Sequence, residues 1–263
     1  MTNVFLIIDT QFDFCHPDGA LFVPGADEDV ARMAGLIHRF ADRIDHIVVT
    51  LDTHHVLDIA HPAFWSDPAG RHPAPFTRIT AAQVEAGEWL PRFSADKARQ
   101  YVRDLERDGQ FDHFIWPEHC LIGAKGAALH DTLLEALRHW THRRDRNYQA
   151  VVKGLHPLSE HFGIFRAQVP DPDVPESQLN TGLLADLNQY DAIYLMGEAK
   201  SHCVANSLKQ LLTFAPELLP KLLIVTDCMS DVSGLGHLAE PIYAEARRQG
   251  VRFRRSDELE LGG

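Results

Sequence analysis

Basic charge is scarce in this chain: 25 lysines and arginines stand against 37 aspartates and glutamates, a formal net charge of −12 over 263 residues. That balance disfavours tracking a phosphate backbone or an anionic lipid surface, so neither nucleic acid nor a membrane is expected as partner. Long apolar runs are missing too; none approaches the roughly 18–20 residues that a membrane-crossing helix needs. The opening MTNVFLIIDTQ turns apolar with no basic leader or small-residue cleavage site, and on that ground a cytoplasmic location is expected. Cysteine is sparse, with Cys15, Cys120, Cys203 and Cys228 far apart in a chain too large to need staples, which argues against a disulfide framework. No internal repeat is visible. An apolar share of 45% and a charged share of 24% remove the fibrous and disordered classes.

What is present is an alternation of strands and helices. NVFLIID is short, apolar and rich in branched residues, and it ends in turn-prone residues near Asp9, as a buried parallel strand does. From Asp27 to Arg43 the apolar residues Val30, Met33, Ile37 and Phe40 recur at spacings of three and four, and HIVVTLD follows, which completes a βαβ unit. HFIW, AVVKG, AIYLMG and LLIVTD continue the strand series, VRFRR adds an edge strand, and helices are expected over Ala127–His142, Ser201–Thr213 and Gly236–Gln249. The fold class is therefore α/β: three layers, helices on both faces of a mostly parallel, doubly wound sheet of about six strands. The length suits one domain spanning residues 1–263. Between about Pro62 and Asp112 the rhythm breaks into proline and aromatic clusters (HPAFW, HPAPF, EWLPRF) with a polar helical piece near Ala95–Asp108; this stretch is expected to be an insertion after the second strand, serving as a lid.

The notable polar residues follow strands: Asp9, Gln11 and Asp13 after the first, Asp52 and His54 after the second, His119 after HFIW, Lys153 at VVKG, and Cys203 in GEAKSHCVAN. Parallel strands gather their carboxyl ends along one sheet edge, where α/β proteins collect their chemistry. Cys203 is expected in the first turn of a helix, where unpaired N–H groups and the helix dipole favour a thiolate. Lys153 would stabilise that thiolate, and Asp9 could take the thiol proton and return it to a leaving amine. Each also has an ordinary role, as core cysteine, capping aspartate or surface lysine; it is the joint placement that points to catalysis. Sixteen histidines are many for this length. Asp52, His54 and His119 supply one carboxylate and two imidazoles, a set that suits divalent zinc, iron or manganese and leaves positions for water or substrate. His55 and His61 are spare candidates, and histidines that merely cap and line loops are the alternative.

DTQFDFC, VVKG and GEAKSHCV, in this order, resemble the D-x-Q-x-D-F, lysine and G-x-A-x-x-x-C-V segments of the isochorismatase-like cysteine hydrolases. With LDTHH and WPEHC added, the chain is most similar to the nicotinamidases among them, although Lys200 and Ser201 replace the usual threonine and aspartate. The resemblance implies a catalytic set of Asp9, Lys153 and Cys203, and a metal, zinc first, held by Asp52, His54 and His119. It further implies a cis peptide between Glu198 and Ala199, an oxyanion hole from the N–H groups of Ala199 and Cys203, and a pocket lined by Phe14 and Trp116. The implied activity is amide hydrolysis through a thioester on Cys203, leading from nicotinamide to nicotinate and ammonia, in a homo-oligomer. A hydrolase of another amide, carbamoyl compound or ureide is the runner-up. A non-catalytic metal- or thiol-binding protein is the third reading.

Overall fold

Successive residues of the first strand, β1 (Asn3–Ile8), face opposite ways: Phe5 and Ile7 enter one apolar core, Val4, Leu6 and Ile8 another. Burial on both faces is why the strand reads as an unbroken apolar run. The computed structural model describes residues 1–107 and 113–262. After β1 come a single helical turn, α1 (Phe12–Cys15), then α2 (Ala26–Arg39) and β2 (His46–Asp52). The stretch beyond β2 holds the short strands β3 (Trp65–Ser66) and β4 (Arg78–Ile79), α3 (Ala81–Glu85), β5 (Leu90–Pro91) and α4 (Ala95–Arg107). The chain continues through β6 (His113–Phe114), α5 (Asp131–Arg144), β7 (Gln149–Lys153), α6 (Thr181–Asn188) and β8 (Ala192–Gly197). A π-helical turn over Lys200–Val204 then leads into α7 (Ala205–Phe214), β9 (Leu222–Val225), α8 (Glu240–Arg248) and β10 (Arg252–Arg254).

Six strands form the central sheet in the order β10-β9-β8-β1-β2-β7, every neighbouring pair parallel. On one face α2, through Val30, Met33 and Ile37, packs with α5, through Leu133, Leu137 and Trp140. On the other face lie α6, α7 and α8, through Leu183, Leu187, Leu208, Leu211, Tyr243 and Ala246. The layers are therefore α/β/α, as the alternation of runs implies. Register aligns the strand ends: Ile8 stands opposite Gly197 and Asp52 opposite Lys153, which brings Asp9, Asp52, Lys153 and the turn after Gly197 to one edge. No helix among the described residues is long and apolar enough to cross a membrane.

Several boundaries differ from the sequence reading; the helix expected from Gly236 begins only at Glu240, behind a 3-10 turn over Gly236–Leu238. HFIW is not a strand of the central sheet; β6 pairs antiparallel with β4, and Ile115 joins a separate apolar core with Phe64, Trp65, Tyr101 and Val102. A run with three apolar residues states burial, not which sheet it joins. The helix expected to reach Arg43 stops at Arg39, because Phe40 leaves helical geometry and Arg43 N–H closes a turn on Phe40 O at 2.8 Å. Helix α5 starts at Asp131 and not at Ala127, since Leu129 bridges Gln11 and Phe12 N–H donates to Ala128 O at 2.8 Å. In the stretch from Ser201, the α-helix proper begins only at Ala205. The expected ends of the polar helical piece at Asp108 and of the insertion at Asp112 lie outside the described residues.

Candidate active site

Asp9 is the first residue past β1, and its backbone is left-handed with φ 41°. That conformation turns the chain sharply and places the carboxyl under the sheet edge, where Thr50 of β2 donates to Oδ1 at 2.5 Å and accepts from Asp9 N–H at 2.9 Å. Lys153, at the end of β7, reaches Asp9 Oδ2 at 2.9 Å, Asp52 Oδ1 at 2.8 Å and Cys203 Sγ at 3.8 Å. Gln11 ties two strand ends together: its side-chain carbonyl accepts from Asp52 N–H and its Nε2 donates to Asp52 O, both at 2.7 Å. Asp13 plays a scaffolding part, since its Oδ2 accepts from Cys120 N–H at 2.7 Å and so fixes the loop carrying His119. The Glu198–Ala199 peptide is cis.

Burial raises Asp9 above the usual carboxylate value, with Lys153 opposing and Asp52 reinforcing. Burial pulls Lys153 toward neutrality, yet Asp52 and Asp9 outweigh it and hold the ammonium well above the ordinary lysine value. Burial is also the largest influence on Cys203 and pushes the thiol well up; Lys153 opposes, while Asp9 and Asp52 add to the rise. The resting sulfur is therefore a thiol and not the thiolate expected from a helix start. Two carboxylates face it against one ammonium, and it sits in a π-helical turn ahead of α7. Such a nucleophile needs a base at the moment of attack, and Asp9 is within hydrogen-bond reach of it.

Asp52, His54 and His119 are all buried, and one ligand atom from each lies within 4.8 Å of the others. His54 Nε2 is 3.0 Å and His119 Nε2 3.7 Å from Asp52 Oδ2, so both rings present the same nitrogen to one carboxylate. Of their far nitrogens, His119 Nδ1 is anchored, donating to Pro117 O at 2.8 Å, and His54 Nδ1 lies at ion-pair distance, 3.1 Å, from Asp58 Oδ2. Anchoring of that kind fixes the tautomer and is the usual support of ligating imidazoles, so the three residues fit a divalent metal. Burial raises Asp52, but Lys153 and His54 hold it well below the usual carboxylate range, as an anionic ligand requires. The spare candidates stay outside this group. His55 is exposed, and His61, 3.3 Å from His119 Nδ1, is pushed down to about 2 by burial and by the neighbouring His119 and His54.

A cavity opens beside Cys203, lined by Phe14, Trp116, Phe162, His202, Glu160 and Ala199 and reaching Asp52 and His119. Phe14 stands edge-on to His119 with ring centres 5.4 Å apart, and Trp116 edge-on to His202 at 5.2 Å. The catalytic, metal and aromatic candidates named from sequence thus meet at one place. Sequence reasoning missed Asp58, although its position four residues after His54 on the same loop was visible. It missed Glu160, Phe162 and His202 as well. Burial raises Glu160 to about 8, and burial lowers His202 to about 4, so at neutral pH the cavity wall carries a protonated or shared carboxyl and a neutral imidazole.

No protein-family model matches the chain. Among curated proteins it is 23% identical to a nicotinamidase of Saccharomyces cerevisiae over 256 residues, covering 95% of this chain and 97% of that protein. The solved yeast nicotinamidase bound to the inhibitor nicotinaldehyde superposes with a TM-score of 0.67 at 18% identity, covering 97% of this chain and 100% of that one. An Acinetobacter baumanii nicotinamidase and pyrazinamidase gives 0.65 at 21% identity with 98% of each chain covered. A Pyrococcus horikoshii pyrazinamidase in complex with zinc gives 0.56 at 16% identity, with 97% and 99% covered. The chain is thus similar over nearly its whole length to the nicotinamidases, and it has the isochorismatase-like α/β fold of their solved structures.

Proposed function

We propose that this protein is a cysteine amidohydrolase that converts nicotinamide to nicotinate and ammonia. The observation that carries the reading is the Asp9–Lys153–Cys203 cluster opening onto an aromatic cavity that also touches the Asp52, His54 and His119 group. Full-length similarity to nicotinamidases supports it. Asp9 takes the Cys203 proton as sulfur attacks the carboxamide carbon, and Lys153 keeps its charge throughout, which balances the forming thiolate. The oxyanion is held by the N–H groups of Ala199 and Cys203. Asp9 then protonates the departing ammonia as the C–N bond breaks and a thioester forms. A water, deprotonated by Asp9, cleaves the C–S bond; nicotinate leaves and the proton returns to sulfur. Phe14 and Trp116 hold the flat ring by their faces and edges. A divalent ion, zinc first, would be held by Asp52, His54 and His119 and would supply a Lewis-acidic point for the ring nitrogen or a water.

The same reading takes residues 62–112 as a lid on a single domain; Phe76 in that stretch stands edge-on to Trp116 at 5.9 Å, which supports it. It also carries a cytoplasmic homo-oligomer with no nucleic-acid or membrane partner, the last supported by the net charge of −12. A second reading, hydrolysis of another amide or ureide, draws on Glu160, whose buried Oε1 has no donor among the described residues and which lines the cavity. Incubation with nicotinamide and hydroxylamine, resolved by chromatography, tests the proposal. Nicotinate and the hydroxamate of nicotinate are expected, the second because hydroxylamine intercepts a thioester. Nicotinate without hydroxamate would overturn the covalent route, and neither product would overturn nicotinamide as substrate and move the test to ureides and other amides.

A further inference from the structure

Glu198, the residue next to the candidate oxyanion donor Ala199, is fully buried and the reaction above does not use its carboxyl. Its Oε2 accepts from Ser230 N–H at 3.1 Å, while Oε1 is buried without a donor among the described residues. Asp29 on α2 accepts from Ser230 Oγ at 2.5 Å, so Ser230 holds the two buried carboxyls side by side and within reach of one another. Two ionised carboxylates repel at that range, so the contact needs a proton. Among the described residues, the surroundings offer no uncommitted cation for a second charge. Arg32 is committed to Asp29 Oδ1 and to Glu28 Oε2, both at 2.8 Å, and Lys200 to Asp231 Oδ2 at 2.9 Å. Ser230 Oγ donates to Asp29 Oδ2 at 2.5 Å, so its hydroxyl proton is also taken. The remaining ionisable groups that interact with the pair among the described residues are Asp227, Asp231, the Cys15 and Cys228 thiols and the Tyr243 hydroxyl, none of which brings positive charge.

The backbone shows what the pair is tied to. Glu198 N–H donates to Ile8 O at 2.9 Å, Lys200 N–H to Ser230 O at 2.8 Å and Gly197 N–H to Cys228 O at 2.9 Å. Ser230 thus grips the turn twice, once through the Glu198 carboxyl and once through Lys200, and its own hydroxyl is pinned by Asp29 of α2. We propose that Glu198 and Asp29 share one proton, Glu198 as acid and Asp29 as carboxylate, and that the pair is a positioning element holding the Ala199 turn in place for amide hydrolysis. The positioning half rests on the hydrolase reading given above; the shared proton does not. A buried carboxylic acid is costly to carry where an apolar side chain would pack, and here it replaces loose packing by a hydrogen-bonded tether between α2 and the turn.

Two measurements on the full chain test this. The infrared difference spectrum at pH 7 between wild type and Glu198→Gln should show the carbonyl stretch of a protonated carboxylic acid in wild type only, and Asp29→Asn should lose it as well, because an amide N–H then lets Glu198 ionise. Absence of that band in wild type overturns the proton-sharing pair. In steady-state kinetics on nicotinamide, Glu198→Ala should lower kcat about tenfold to a hundredfold with KM within a few-fold, and Glu198→Gln, which can still donate to Asp29, should recover most of it. An unchanged kcat in Glu198→Ala overturns the positioning role. Should Glu198→Ala not fold, a kcat for Glu198→Gln as low as that of Asp29→Leu, which has no acceptor, overturns it instead. A wild type that makes no nicotinate counts against the hydrolase reading and its positioning corollary, and the infrared band still decides the shared proton.

Discussion

Lys153 places one buried ammonium between two buried carboxylates, 2.9 Å from Asp9 and 2.8 Å from Asp52. Removing it leaves both carboxylates in a low-dielectric site with only the His54 and His119 imidazoles near Asp52, so Lys153→Ala is expected to destabilise the fold by about 3–5 kcal/mol, read from urea unfolding at pH 7. A loss under about 1 kcal/mol would mean that the cluster is hydrated and not the tight triad described. Glu198 gives a signed pH dependence. Burial first, then the Asp29 charge, raises its carboxyl well above the ordinary value. Below about pH 4.3 both folded and unfolded states hold the proton. As pH rises above that, the unfolded chain ionises while the folded one does not, and stability relative to Glu198→Gln falls by up to about 1.4 kcal/mol per pH unit until the folded value is passed. Unfolding curves of the two proteins from pH 5 to 8 check the slope; parallel curves contradict it. At this scale Asp9, Asp52, Lys153 and Cys203 were legible because each ends or closely follows an apolar run, and strand ends in an α/β sheet converge. Glu198 was legible only as a motif neighbour. Its carboxyl acquires meaning from Asp29 in a distant helix, and no linear pattern states that meeting.

Between elements, the ends of β1 and β8 approach closely at the site. Gly197 has φ +119°, and a side chain there would run into the backbone of Ile8. Gly197→Ala is therefore expected to cost about 3 kcal/mol or more, from the strained backbone and the crowding together, and to shift the thermal midpoint down sharply. A melting curve superposable on wild type would show that β8 does not lie against β1 as described. Strand alternation and helical spacing revealed most of the sheet and the helices, since period and burial are written in the side chains. The course of HFIW was not legible, because its partner β4 lies in a stretch of prolines and aromatics whose strands are two residues long. Nor was the start of α7. A π-helical turn uses the same residues as an α-helix and differs only in which carbonyl each N–H meets.

Taken as a whole, the described residues form three apolar cores around one candidate reactive edge: two covering the faces of the sheet and a third that gathers Ile59, Phe64, Trp65, Ile79, Tyr101 and Ile115. The aromatic wall at Trp116 and the imidazole of His119 both come from the chain just past that third core, whereas Asp9, Lys153 and Cys203 come from the sheet. The proposed catalytic groups and the proposed ring-holding residues Phe14 and Trp116, which both pack in the core on the α2–α5 face of the sheet, meet at this edge, and the account requires both sets for turnover. Ammonia release from nicotinamide, measured side by side on metal-loaded wild type, chelator-treated protein and Cys203→Ala, tests this most directly. Release by the first that falls about 10⁴-fold or more in Cys203→Ala, with the fold retained by circular dichroism, and that drops on chelation and returns with a divalent ion, is the predicted result. Equal release from Cys203→Ala, or none from folded and metal-loaded wild type, would contradict it.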